Sequence, residues 1–491
     1  MIRLFITWHK WVSIVFIIFI LLFPVTGIIL NHRRIFSHVN LSRKILPAVY
    51  EFNNWNNAAV KGTEKIGKDS VVIYGNIGIW LTDTEGSYFR DFNHGLPSGM
   101  DNRKICKIVR LSNGKVLAGT LFGLYTLKNA FWSRVKIPTR EKRVVDIIEK
   151  ADTAILLTRS HLLKTVDFKK FEIIQLPPPV DWDRKVSLFK TLWMLHSGEL
   201  FGLFGKIFVD ILGLIFIFLV FSGLYYFVGF YVVKFKKNRS NSSGWINRSM
   251  RFLLKWHNKF GWMSIIFLLI LTITGMFLRP PLLALIAWSK VPKIPFTTLG
   301  TRNAWFDRLR GIIYLDDIKG YIVATNDGLF YADEGLNKPL RRFRPAPPIN
   351  VMGITVFKKH GPGKILVGSF DGLFEWNYRN GSYYDYIRKI PGYRFPSPLV
   401  TGFTDDIRGD EFYFDYDRGV KSINGFAEFP SMPKVIKNLP MSLWNAALEI
   451  HTGRAYINFF KEFTILYIPL AGLFILSIIS TGFIVWWKLF R

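Results

Sequence analysis

Trp8-His9-Lys10 leads into an uncharged run from Trp11 through Thr26-Gly27 to Leu30, and 248 positions later Trp256-His257-Asn258 leads in the same way to Thr274-Gly275. In both copies 18 residues separate the histidine from the glycine. At 1.5 Å per residue that interval nearly crosses a hydrocarbon core of about 30 Å, so each copy reads as a membrane helix with its histidine at one end. A second element repeats as well: Leu195-His196-Ser197-Gly198 corresponds to Ile450-His451-Thr452-Gly453. Beyond it, Gly213 and Ser222-Gly223 correspond to Gly472 and Thr481-Gly482 once an insertion of four residues, about one helical turn, is allowed. The chain is therefore a duplication, each half reading helix, intervening segment, helix.

Four stretches without a charged side chain are long enough to span a bilayer: residues 11–30, 211–233, 260–278 and 463–487. Asn31-His32-Arg33-Arg34, rather than a small-residue cleavage site, follows the first, which marks an uncleaved anchor. Between the middle two, Lys234, Lys236, Lys237, Arg239, Arg248, Arg251, Lys255 and Lys259 occur without an acidic residue, and the positive-inside rule assigns that segment to the cytoplasm. Both termini then share that side, where Arg3, Lys10, Lys488 and Arg491 agree in sign. The expected order is a cytoplasmic N-terminus and first span (1–32), an outer segment (33–205), a second span (206–233), a basic cytoplasmic loop (234–259), a third span (260–279), a second outer segment (280–460), and a fourth span with a cytoplasmic C-terminus (461–491). In a bacterium this describes a multi-pass inner-membrane protein with two large periplasmic segments.

Composition agrees and excludes much. Of 491 residues half are apolar and 16% aromatic, too many for disorder, because burying them offsets the entropy of ordering the chain. Cys106 is the single cysteine, which excludes a disulfide framework, a four-thiolate zinc site and a cysteine-held iron-sulfur cluster. The net charge of +30 would raise nucleic acid as a partner. The cytoplasmic pieces, however, hold twelve of the 65 basic residues and none of the 35 acidic ones, leaving an excess of 18 positive charges on the outer side, away from nucleic acid. That excess fits adhesion to anionic lipid head groups or the steering of an anionic ligand toward the membrane. No Gly-x-Gly-x-x-Gly follows a strand, and neither a P-loop nor a serine nucleophile elbow is present, so nicotinamide, ATP and acyl-transfer chemistry are not expected.

The outer segments repeat at a finer period. Tyr74-Gly75-Asn76-Ile77-Gly78-Ile79-Trp80, Gly123-Leu124-Tyr125, Asp327-Gly328-Leu329-Phe330 and Asp371-Gly372-Leu373-Phe374 each place a tight turn before an apolar or aromatic pair, with weaker echoes at Ser160-His161-Leu162 and Arg418-Gly419-Val420. Spacings of 37 to 47 residues within each half are those of four-stranded propeller blades, three per half. Two arrangements fit: one six-bladed β-propeller built from two three-blade halves, or two separate small β domains. The open sheet edges of a half-propeller favour the ring. The fold class expected is thus a four-helix membrane bundle, duplicated two plus two, with an all-β periplasmic region.

The doubled His-Lys/Asn to Thr-Gly helices and the two Leu/Ile-His-Ser/Thr-Gly elements resemble the PepSY-associated transmembrane family, over roughly a third of the chain. That family includes bacterial inner-membrane proteins linked to iron uptake, among them reductases of ferric siderophores thought to carry b-type haem. The outer segments depart from the resemblance, since no PepSY module stands between the helices and the blades look like those of sensory or ligand-binding propellers.

Five of the nine histidines lie at expected helix ends: His9 and His257 on the cytoplasmic side, His32, His196 and His451 on the outer side. His9 and His32 stand 23 residues apart on one helix, about 35 Å, so they belong to different centres. Neutral imidazoles on facing helices ligate haem iron in bundle cores. Two haem b centres, one per leaflet, are therefore expected, with His9 and His257 at one, His196 and His451 at the other, and His32 a weaker candidate because Pro280 occupies its repeat position. The bland alternative for each is an amphipathic ring in the head-group belt. Gly27, Gly223, Gly275 and Gly482 let helices approach closely or admit a flat macrocycle. Arg33, Arg34 and Arg279 suit haem propionates or head groups. His38, His94, His161 and His360 read as solvated. The function expected is haem-dependent electron transfer to a periplasmic oxidised substrate such as chelated ferric iron, which makes ferric-chelate reduction the implied activity, with a quinol or cytoplasmic electron donor. A membrane-anchored propeller that binds or senses a ligand is the alternative, and a subunit serving a nutrient-uptake partner is a third.

Overall fold

A computed structural model describes residues 2–237 and 244–490; Arg239 and Arg491, both used in assigning sidedness, lie outside the described residues. The chain divides into a helical unit, Met1–Phe36, Arg184–Thr301 and Leu443–Arg491, and a β unit, Ser37–Asp183 and Arg302–Ser442.

The helical unit contains α1 (Ile2–Val15), α2 (Ile17–Asn31), α3 (Leu188–His196), α4 (Gly202–Lys237), α5 (Gly244–Met276), α6 (Leu443–His451) and α7 (Tyr467–Leu489). Among the described residues three helical runs are long and apolar enough to cross a membrane: Glu199–Phe235, Gly244–Met276 and Arg454–Leu489. α1 and α2 meet the same test only as a pair, bent by 67°. The straight first helix expected over residues 11–30 is thus broken at Phe16, whose backbone leaves the helical basin at φ −100°, ψ 12°. Its ring stacks on Phe474 at 4.4 Å between centroids. The basic segment 234–259 is also largely helix rather than loop. From Trp245 to Phe260 it contains neither glycine nor proline, so nothing stops α5 at the membrane edge. α1 packs on α7, α2 on α4 and α6, and α5 on α3, α4 and α7.

The short helices α3 and α6 explain the repeated Leu/Ile-His-Ser/Thr-Gly element. Gly198 (φ 77°) and Gly453 (φ 80°) end them in the left-handed conformation that glycine adopts without penalty. A Cβ at Gly198 would come 2.2 Å from the Gly205 carbonyl oxygen, and one at Gly453 equally close to the Tyr467 ring. Each histidine therefore sits in the last turn of a short helix, just before the chain enters a long one.

Besides a two-stranded sheet that pairs Asn40–Leu41 with Met441–Ser442, the β unit contains six larger antiparallel sheets: four of four strands, one of five and one of three. Residues 78, 123, 160, 328, 372 and 419 all fall where the second strand of a sheet turns into its third, as the spacing predicts. The first strands are Gly62–Lys65, Ile105–Arg110, Val144–Lys150, Leu309–Leu315, Val356–Lys359 and Val400–Thr404. Each lies against the next, and the sixth lies against the first. Two separate β domains are excluded, because both halves share cores. Ile155, Leu157 and Leu162 of the third sheet pack with Trp305, Leu309 and Phe330 of the second half. Phe52, Trp55 and Ile73 pack with Phe412 and Phe414 of the last sheet. Asp146 joins the third and fourth sheets by accepting the Ile147 and Ile312 N–H groups at 2.9 Å. Burial pushes its carboxyl above the ordinary range against the pull of Lys107.

Candidate cofactor site: two histidine pairs

The bundle brings together the four histidines of the two expected pairs and leaves the fifth aside. His9 and His257 have ring centroids 6.4 Å apart with planes at 83°. His196 and His451 are 6.2 Å apart at 60°. His32 joins neither pair: its Nε2 lies 2.6 Å from Asp210, whose other carboxylate oxygen accepts from Asn31 at 3.1 Å. Among the expected propionate partners, Arg33 stacks its guanidinium 3.6 Å above the Trp444 ring.

Each paired ring rests on a glycine of another helix. A Cβ on Gly482 would reach His9 Cε1 at 2.8 Å, and one on Gly275 would reach His196 Cε1 at 2.8 Å. The corresponding distances are 3.5 Å from Gly223 to His257 and 3.7 Å from Gly27 to His451. The four Thr/Ser-Gly dipeptides are therefore seats for imidazoles. They are also exchanged between the repeats: rings of the first half sit on glycines of the second, and the reverse.

A carbonyl or hydroxyl oxygen of the glycine's helix fixes each tautomer. His9 Nδ1 lies 3.0 Å from the Ile478 carbonyl oxygen and His196 Nδ1 lies 2.9 Å from that of Leu271. A carbonyl oxygen only accepts, so in both rings Nδ1 carries the proton. His257 Nδ1 is 2.9 Å from Ser222 Oγ, and His451 Nδ1 is 2.9 Å from Thr26 Oγ1. Both hydroxyls already donate to carbonyl oxygens of their own helices, so they accept from the ring. Thr481 and Thr274 stand in the equivalent places, 3.5 and 3.4 Å from His9 and His196. All four Nε2 atoms are thus left unprotonated and make no hydrogen bond among the described residues. This is the state in which imidazole ligates a metal, with the other nitrogen held by an oriented acceptor. The sequence signal for these hydroxyls was available, since Thr or Ser precedes every one of the four glycines.

No group of three or more His, Cys, Asp or Glu side chains able to hold a metal occurs among the described residues. A bare structural zinc, which takes four protein ligands, is not served by two nitrogens. A macrocycle that supplies its own equatorial nitrogens is. His9 with His257, and His196 with His451, are the residues that would hold such a group, their ring centroids standing 6.4 and 6.2 Å apart. Thr274 stands 17 residues beyond His257 on α5, so the pairs lie about 26 Å apart along the bundle.

The sequence profile of the PepSY-associated TM region matches residues 2–229 and again residues 226–489. The chain belongs to the PepSY-associated TM family. The two matches coincide with the duplication, one for each half. Membership and the membrane-crossing helices make it an integral membrane protein. No curated protein matches this PepSY-associated TM chain. Among solved structures it is similar to the extracellular domain of a hybrid two-component system of B. thetaiotaomicron, at 11% identity over 74% of this chain and 32% of that one, with a TM-score of 0.37. It is also similar to the WD40 β-propeller domain of Doa1, at 9% identity over 76% and 97%, with a TM-score of 0.33. The chain spans about a third of the length of the first of these. Likeness this remote bears on neither fold nor activity.

Proposed function

We propose that this protein is a bacterial inner-membrane electron carrier in which each histidine pair holds one b-type haem, and that it reduces an oxidised periplasmic substrate, such as chelated ferric iron. The observation that carries this reading is the pairing itself: two imidazoles side by side, with Nδ1 tied back and Nε2 without a partner, twice in one bundle. His9 and His257 would hold one group and His196 and His451 the other. A bound haem iron supplies a one-electron couple. The chain's own part is to orient the rings through Thr26, Ser222, Thr274 and Thr481, to leave room with Gly27, Gly223, Gly275 and Gly482, and to surround the site with apolar helices.

In this reading α1 and α2 together form a fourth span, both termini are cytoplasmic, and the β unit is periplasmic. The basic residues at the α4–α5 connection support that sidedness. The circular succession of first strands and the two shared cores support a single six-bladed propeller. The electron donor is a quinol or a cytoplasmic reductase.

Proteoliposomes with dithionite sealed inside and ferricyanide outside test the carrier role. The protein should transfer electrons across the bilayer, and His9→Ala and His196→Ala should each abolish transfer. Vesicles that retain dithionite as well as protein-free ones do would overturn it. A colourless protein whose β unit binds a ligand would assign the protein to the sensing alternative.

A further inference from the structure

Three basic side chains of the β unit, Lys61, Arg143 and Arg159, lie about its single thiol, and a fourth, Arg310, lies beside Arg159 and Arg143. Cys106 and Arg310 occupy the same place in different sheets, the second residue of a first strand, where pairing skips a position between Ile105 and Lys107 and between Leu309 and Gly311. Such bulges redirect a side chain out of the regular alternation. Arg143 immediately precedes the first strand of the third sheet and lies against the Cys106 sulfur, with Lys61 and Arg159 close by.

These groups are held in place by their surroundings. Arg159 Nε lies 2.8 Å from Asp307 Oδ1, and the Arg159 carbonyl accepts the Leu309 N–H at 3.0 Å. Arg310 Nη1 donates to the Leu309 carbonyl at 2.8 Å. The stem of Arg310 covers Gly353, where a Cβ would come within 2.6 Å of its Cγ and Cδ. Glu141, which accepts from Ser160 Oγ at 3.2 Å, is the other acid of the group. Arg143, Arg159 and Arg310 thus outnumber Asp307 and Glu141, the two carboxylates that act on them. Arg143 Nε is buried without a hydrogen-bond partner among the described residues. Burial, reinforced by Arg159 and Arg143, pushes the Arg310 guanidinium down to about 9. Packed cations that repel one another are costly unless an anion completes the set. Guanidinium forks match the geometry of carboxylate and phosphate oxygens.

We propose that Arg143, Arg159 and Arg310, with Lys61 and the Cys106 thiol beside them, form a binding site for a small polyanion bearing carboxylate or phosphate groups. The site lies wholly within the β unit and does not depend on the histidine pairs holding haem.

Cys106 reports on it directly, because it is the chain's only cysteine and is partly exposed. The rate of maleimide labelling of the full chain in detergent would be measured with citrate, with inorganic phosphate, and with chloride at matched ionic strength. Several-fold slower labelling than in chloride is expected, by citrate alone if the site takes carboxylates, by phosphate alone if it takes phosphates, and by both if it takes either. Arg310→Gln should remove the protection, and Arg310→Lys, which keeps the charge without the fork, should weaken it. Equal rates in all three salts would overturn the proposal, as would protection unchanged in both variants.

Discussion

The helical unit and the β unit carry the same duplication but keep different things. In the helices, histidine, hydroxyl and glycine recur at matching positions, because a ring held on a glycine with Nδ1 bonded back tolerates little displacement. In the sheets only the turn and the apolar alternation recur, and the last two sheets differ in strand number from the other four. A sheet needs a closed turn and a buried face, which many sequences satisfy. Strictness in one unit and drift in the other separate what the repeat must do chemically from what it must only pack.

The comparison breaks first at the histidines. His9→Ala or His257→Ala should remove one of two haem centres entirely and leave the other, read as a halved reduced-minus-oxidised spectrum; His196→Ala or His451→Ala should remove the complementary half. If any single variant abolishes both signals, the centres are not independent.

A core substitution in the β unit should do the opposite. Trp305 is fully buried where the two halves meet, and its indole N–H donates to the Pro177 carbonyl at 2.7 Å. Trp305→Ala should destabilise the β unit by about 3–5 kcal/mol, measured by denaturant unfolding followed by tryptophan fluorescence, while leaving the haem spectrum unchanged. A lost spectrum would mean that the helical site depends on the sheets for its formation.

The glycine seats sharpen the comparison within the bundle. Gly482→Ala and Gly275→Ala would press a methyl group to 2.8 Å from a ring carbon and should lower the occupancy of their centres. Gly223→Ala and Gly27→Ala, at 3.5 and 3.7 Å, should be near neutral. Equal effects at all four, read as haem-to-protein ratio, would remove the seat as the reason for glycine.

The smallest effect expected is a pH dependence in the fifth sheet. Burial alone would push the Glu375 carboxyl up, but Lys364 and His360, each 2.7 Å away, outweigh it and hold it below the usual carboxylate range. Such a group adds stability above its unfolded pKa of about 4.3 and loses it as the pH falls through the folded value. Glu375→Gln should therefore be less stable than the parent near neutrality, with the gap closing below about pH 4. A gap that does not change with pH would show that Glu375 acts by packing rather than by charge.

Much of this was legible in the sequence, for identifiable reasons. The fixed interval from His9 to Gly27, repeated from His257, marked helices of membrane length, because a helix converts sequence spacing into distance, and the matching repeat positions named the histidines whose rings lie side by side. The six turn positions gave the sheets, because a tight turn leaves a local mark. What escaped depends on contacts between distant residues. The break at Phe16 follows from stacking on Phe474, and His32 is drawn off by Asp210, neither of which a local pattern announces. His360, read as solvated, is instead clasped by Glu375 and Glu411 at 2.7 and 3.2 Å. The arginine cluster was likewise invisible, since Arg143, Arg159 and Arg310 meet only when successive sheets pack.

The measurement that bears most directly on the central claim is the haem content of the purified full-length protein from haem-replete cells, taken as a reduced-minus-oxidised spectrum together with the haem-to-protein ratio. Two b-type haems per chain are expected, one for each histidine pair. A colourless protein, or full spectra retained after each of the four histidines is replaced in turn, would contradict the account.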